Sequence, residues 1–150
     1  MISGVKVKEL RLLTDERGSV MELLRSDDAI FRRYGQTYMT TVSPGYAKAW
    51  HLHKKQTDNI ACVRGSVRFV MYDERADSPT KGRFAEILLG PDNCLLIQVP
   101  PQVWHGFESI NSEEAILINS PDLPYCRDSP DEFRRPFDSL AYKWQSKKGG

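Results

Sequence analysis

His51 and His53 stand one residue apart in HLHKKQTD, and Asp58 follows five residues after the second. The third histidine of the chain, His105, lies in VPPQVWHGF. In an extended strand, residues two apart face the same side, with Cα atoms roughly 6.5–7 Å from each other. His51 and His53 would then share one face, with Trp50 and Leu52 on the other. Two imidazoles at that spacing can converge on one ion or on one substrate. Imidazole is also the side chain whose ordinary pKa, about 6.5, suits proton abstraction near neutral pH.

Two chemistries compete for these residues. In the first, a histidine is a free base that removes a proton from a carbon beside a ketone. The resulting enolate needs a positive or hydrogen-bonding partner, and Lys48 is a candidate. Asp58 would orient His51 or His53. In the second, His51, His53, Asp58 and His105 offer three nitrogens and a carboxylate to one divalent transition metal, of the zinc, iron, manganese or nickel kind. A ring nitrogen bound to a cation cannot also accept a proton, so the two chemistries meet at His51.

The elements that would carry these residues are strands. SVRFVMYDE, EEAILINSP, NCLLIQVP, RFAEILLG and GQTYMTTVSP all read with a period of two or as short apolar runs. Turn signals separate them at Ser43-Pro44-Gly45, Arg64-Gly65, Ser78-Pro79-Thr80, Gly90-Pro91-Asp92 and Pro100-Pro101. Many short strands at this spacing point to an all-β sandwich or barrel. Helix candidates are short, at 27–34 and 130–135. The residues after about 145 are expected to fray.

Composition bounds the rest. The chain has 150 residues, 40% apolar and 27% charged, with a net charge of +1. This fits a single domain and suggests no attraction to nucleic acid or anionic lipid. No apolar run approaches membrane-spanning length, and MISGVKVKEL lacks the apolar core of a signal peptide. Cys62, Cys94 and Cys126 match neither a disulfide framework nor a CxxC motif, which points to a reducing cytoplasm. Cys62 and Cys94 are expected to be buried as small hydrophobes.

The spacing from Gly45 through His51, His53 and Asp58 to Gly65, followed by VPPQVWHGF, resembles the two cupin motifs. A cupin is a double-sheet jelly-roll barrel. A narrower resemblance, to the dTDP-4-dehydrorhamnose 3,5-epimerase family, covers most of the chain. It rests on DERGSVMEL, Gln36, His51, the VRGSVRFVMYDERADSPTKG block, PPQVWHGF, and Tyr125 with the following SPDE. This resemblance implies a cytoplasmic isomerase of a nucleotide-linked 4-keto-6-deoxysugar that needs no cofactor and works as a homodimer. It also implies roles. His51 would be the base and His105 would line the pocket. Tyr125 would sit at the sugar. Gln36 and Lys48 would face the substrate, and Arg17 and Glu22 would hold the nucleotide, donated across the dimer.

The chain departs from the family pattern as well. Asn119 stands where the family has its proton-donor tyrosine, Asp58 where it has a lysine, and His53 where it has glutamine. The aspartate that orients the base has no counterpart. A related group of nucleotide-sugar 3,4-ketoisomerases carries an HxHKK stretch in which both histidines move protons. The alternatives are a metal-dependent cupin enzyme and a non-catalytic nucleotide-sugar binder.

Overall fold

The computed structural model describes residues 1–150 and contains strands but no helix. The strands are β1 (Lys6–Glu9), β2 (Leu12–Asp15), β3 (Gly18–Met21), β4 (Tyr38–Val42), β5 (Tyr46–Leu52), β6 (Asp58–Arg64) and β7 (Val67–Asp73). They continue as β8 (Phe84–Leu89), β9 (Leu95–Val99), β10 (Val103–Ser109), β11 (Ala115–Asn119), β12 (Phe133–Arg134) and β13 (Lys148–Gly149). One sheet runs β1-β9-β6-β11-β4, and the other runs β12-β5-β10-β7-β8 with β13 added to β5. A separate hairpin pairs β2 with β3. This is an all-β fold, as the strand spacing predicts, and its two sheets form the double-sheet jelly roll that the cupin resemblance implies.

Alternation decides which side chains fill the space between the sheets. Val67, Phe69 and Met71 of β7 meet Ile60 and Cys62 of β6, Ile97 and Val99 of β9, and Ala115 and Leu117 of β11 in one buried cluster. Phe69 and Met71 are completely buried. Truncating Phe69 to alanine there would cost about 3–5 kcal/mol. The turn from β6 into β7 needs Gly65. Its φ is 68°, and a Cβ at that position would lie 2.9 Å from the Ala115 Cα.

The outer faces are covered too. Trp50 turns away from the barrel and packs with Phe84, Tyr142 and Trp144, its ring centroid 5.0 Å from that of Trp144. The indole N–H groups of Trp50 and Trp144 both donate to the Phe137 carbonyl, at 3.1 and 3.0 Å. This second layer gives Trp50 a buried place outside the barrel, which leaves His51 facing inward. Trp104 lies in the same outer cluster, opposite the inward His105.

Four expectations need correction. Residues 27–30 form turns and 31–34 have no regular structure, so no helix forms there. The Asp28 carboxylate caps the Arg25 N–H at 2.8 Å and pairs with Lys8, which ties the segment to β1. Residues 130–135 hold β12 instead of a helix, paired with Leu52 and His51. The tail does not fray throughout. Lys148 and Gly149 pair in parallel with Tyr46 and Ala47, and buried Glu108 accepts the Ser146 N–H at 2.7 Å. Cys62 is buried as expected, but Cys94 is only half-buried.

Candidate functional site

A cavity of about 880 Å³ is lined by both sheets and by the segment between β11 and β12. Lys48, His51 and His53 reach it from β5 and its end, and His105 and Phe107 reach it from β10. Strict alternation would send Lys48 and His51 to opposite faces. A β-bulge resolves this. His105 pairs with His51, but Phe107 pairs with Lys48, so β5 carries one extra residue between the two pairs. Gly106 sits at the bulge, where a Cβ would come within 2.4 Å of the Ala49 Cβ. The bulge thus places a base and a cation on the same wall.

His51 presents its Nδ1 to Glu132 Oε1 at 3.5 Å. The same carboxylate oxygen accepts from Arg134 at 2.7 Å. Burial, together with the charges of His105, Arg134 and His53 and against the opposing charge of Glu132, lowers the His51 pKa to about 4. The ring is therefore neutral at physiological pH and free to accept a proton. Burial works against ionised Glu132, but Arg134 and the histidines more than offset it and hold its pKa below the ordinary value.

Glu132 is held in place by its neighbour. The Asp131 carboxylate accepts three successive backbone N–H groups, from Lys54, Lys55 and Gln56, at 2.8, 2.8 and 2.9 Å. The Asp131 carbonyl accepts from His53 Nδ1. One aspartate thus docks the 129–132 segment on the turn that follows β5.

Asp58 is the centre of a second cluster. Its Oδ2 lies 3.4 Å from His53 Nε2 and 3.3 Å from His105 Nε2. Its Oδ1 accepts from the Gln56 and Asn119 amides at 2.7 and 2.8 Å. Burial would raise the Asp58 pKa, but the hydrogen bond and charge of His105, with His53 and Asn119, bring it down to about 2. His105 Nδ1 donates to the Val103 carbonyl at 3.1 Å, and His53 Nδ1 is likewise spent on a carbonyl. Either ring that also protonates Nε2 becomes a cation facing Asp58. The alternative is that both Nε2 atoms and Oδ2 face a shared metal ion.

Of the two histidines that Asp58 is expected to orient, it faces His53, and Glu132 stands beside His51. The structure corrects one expectation at this site. The convergent ligand group is His53, Asp58 and His105, with ligand atoms within 4.8 Å of one another, and His51 is not part of it. The base and the metal chemistry therefore do not compete for one ring.

Gln36, Lys48, Tyr125 and Asn119 all line the cavity. Lys48 Nζ donates to Thr40 Oγ1 on β4 at 3.1 Å. Tyr125 is exposed at the cavity wall. Arg17 and Glu22 lie elsewhere, paired with Asp15 and Arg25 respectively. Sequence reasoning did not single out Tyr38, Gln56, Asp131, Glu132 or Arg134. Only the SPDE stretch carried a signal, and that came from the resemblance and not from spacing. Asp73 and Arg75 pair with each other at 2.8 Å, away from the cavity.

The sequence profile described as dTDP-4-dehydrorhamnose 3,5-epimerase matches residues 1–148. The chain is 38% identical over 144 residues to the probable low-salt glycan biosynthesis epimerase Agl13 of Haloferax volcanii, covering 91% of this chain and 89% of the relative. It is 36% identical over 148 residues to the spore coat polysaccharide biosynthesis protein SpsL of Bacillus subtilis, covering 97% and 98%. The crystal structure of a dTDP sugar isomerase from Desulfovibrio desulfuricans superposes with a TM-score of 0.91 at 36% identity, over 95% of this chain and 92% of that one.

Proposed function

The chain belongs to the dTDP-4-dehydrorhamnose 3,5-epimerase family, and from that premise we propose that it is an isomerase that epimerises a dTDP-linked 4-keto-6-deoxysugar in glycan biosynthesis. The observation that carries this reading is His51, neutral, lining the cavity and facing Glu132 across 3.5 Å.

The C4 ketone of such a sugar acidifies the hydrogens on C3 and C5. His51 removes one of them, and the C–H electrons move into the ketone to give an enolate. Glu132 holds Nδ1 of the ring and stabilises the imidazolium that forms, as a carboxylate partner does for a histidine base. Lys48 supplies positive charge from the same wall to the enolate or the diphosphate. Reprotonation on the opposite face inverts the carbon. Reprotonation on the same face only exchanges the hydrogen with solvent.

The donor set of His53, Asp58 and His105 favours a second reading, in which one divalent transition metal is held there. Two imidazole nitrogens and a carboxylate oxygen fit such an ion. Bound there, it would supply Lewis-acid polarisation of the substrate carbonyl. His51 keeps its role as base in either case.

We place the substrate's sugar against Tyr125 and its nucleotide or sugar against Gln36, both of which line the cavity, and assign Arg17 and Glu22 to a partner's cavity in a homodimer. The three cysteines are unpaired, which supports a cytoplasmic setting. No helix is long and apolar enough to cross a membrane. The test is conversion of dTDP-4-keto-6-deoxyglucose followed by NMR. A C3 or C5 epimer as product supports the reading; an unchanged sugar at high enzyme concentration refutes it.

A further inference from the structure

Inversion at carbon needs two proton-handling groups, one on each side of the sugar. His51 provides one, from β5. The position on β11 where a tyrosine is expected to provide the other holds Asn119, and an amide is not a Brønsted acid of useful strength. The partner of Asn119 across the β11–β4 ladder is Tyr38, in direct register. Tyr38, Thr40 and Val42 alternate along β4, so they share one face. Val42 of that set is in the inter-sheet core, while Tyr38 and Thr40 line the cavity. Tyr38 therefore reaches the cavity from the sheet that faces the one carrying His51.

The hydrogen bonds of Asn119 settle which way the phenol points its proton. Asn119 Oδ1 accepts the Asn59 N–H at 3.0 Å, which fixes the amide orientation. Its Nδ2 donates to Asp58 Oδ1 at 2.8 Å and to the Tyr38 oxygen at 2.9 Å. Both amide hydrogens are then spent. The Tyr38 oxygen is an acceptor in this contact, and its own O–H finds no acceptor among the protein atoms. That proton is left for whatever occupies the cavity. When the proton leaves, the Asn119 N–H already faces the phenolate oxygen and stabilises the charge.

We propose that Tyr38 is the catalytic acid of this enzyme, the tyrosine having moved across the ladder from β11 to β4 with Asn119 as its hydrogen-bond support. This rests on the epimerase reading above. The step balances. The C–H bond breaks toward His51, and its electrons form the enolate. The enolate electrons then return to carbon as the Tyr38 O–H bond breaks, and a new C–H bond forms on the opposite face. His51 is left as imidazolium and Tyr38 as phenolate. The imidazolium gives its proton to solvent and the phenolate takes one back, so the enzyme returns to its starting state. Burial and the Asp58 charge push the Tyr38 pKa up to about 12, so the phenol is protonated when the substrate arrives. A carbon beside a ketone is a far weaker acid than a phenol, so the transfer to carbon runs downhill.

The test is Tyr38→Phe, assayed in deuterium oxide with dTDP-4-keto-6-deoxyglucose. Tyr38→Phe removes one oxygen and keeps the ring, and Asp58 retains its own partners. Epimer formation should fall about 10²- to 10⁴-fold, the usual contribution of a general acid. Deuterium should still enter the remaining substrate, because His51 can remove and return hydrogen on its own face. KM should stay within a few-fold of the wild-type value. Epimer formation within a few-fold of wild type would overturn the assignment. So would a parallel loss of epimer and exchange, which is the signature of a merely structural tyrosine. Wild-type enzyme that gives neither exchange nor epimer would overturn the epimerase reading itself, and the assignment with it.

Discussion

His51 can take a proton only while its ring is neutral and aimed at the substrate. Burial secures the first condition, with the pKa held at about 4 against an ordinary 6.5. Because the base must be unprotonated, kcat/KM should stay level as pH falls below 6.5 and drop only as pH approaches 4. Glu132 secures the second condition and also raises the His51 pKa. Glu132→Gln should therefore move the acid limb to still lower pH. It should also reduce kcat about 10- to 100-fold, a part of what acid–base catalysis supplies, with little change in KM. An unchanged pH–rate profile and kcat would show that Glu132 plays no part. The histidine pair was legible in the sequence because alternation in a strand is local and has a fixed period. Glu132 was not, because it meets His51 only after the chain has crossed both sheets and returned. The same distance hid Tyr38, whose role depends on a cross-strand neighbour.

Among the elements, β4, β7, β8, β9 and β11, of five to seven residues each, carry enough alternation or apolar run to announce themselves. The short ones do not. β12 and β13 have two residues each and exist because β5 offers them an edge, so no local pattern predicts them. The bulge in β5 is equally silent in the sequence, since it shows only in the register of β5 against β10, a strand far along the chain. The docked 129–132 segment also depends on tertiary contact. Asp131 is its anchor, satisfying three backbone N–H groups at once. Asp131→Ala would leave those groups without their partner, at a cost of about 1–3 kcal/mol. At roughly 2–4 °C per kcal/mol for a chain of this size, the Tm should fall by several degrees. The kcat should fall with it, because Glu132 loses its support. A melting curve and a rate for this one variant check both, and a Tm unchanged from wild type would contradict the anchoring role.

For the whole molecule, the sheets bring three histidines from two strand regions to one cavity, and the resemblance to a known family anticipated that cavity before its geometry was visible. The proposed nucleotide contacts are different. Arg17 and Glu22 pair with Asp15 and Arg25 outside the cavity of their own chain, so the role proposed for them depends on assembly. A homodimer would show a solution mass twice the 17.2 kDa of the chain. In such a dimer Arg17→Ala should raise KM for the nucleotide sugar about tenfold, or roughly 1.4 kcal/mol of binding, and leave kcat unchanged. An unaltered KM would remove Arg17 from the binding surface.

Hydrogen exchange at the sugar carbons reports on enolisation most directly. Wild-type enzyme and His51→Asn would be incubated with dTDP-4-keto-6-deoxyglucose in deuterium oxide, and deuterium at C3 and C5 would be read by NMR. Enolisation by His51 predicts label at one or both carbons with the wild type, and a loss of at least 10²-fold with the variant. Label entering at the wild-type rate in His51→Asn would show that another group removes the proton.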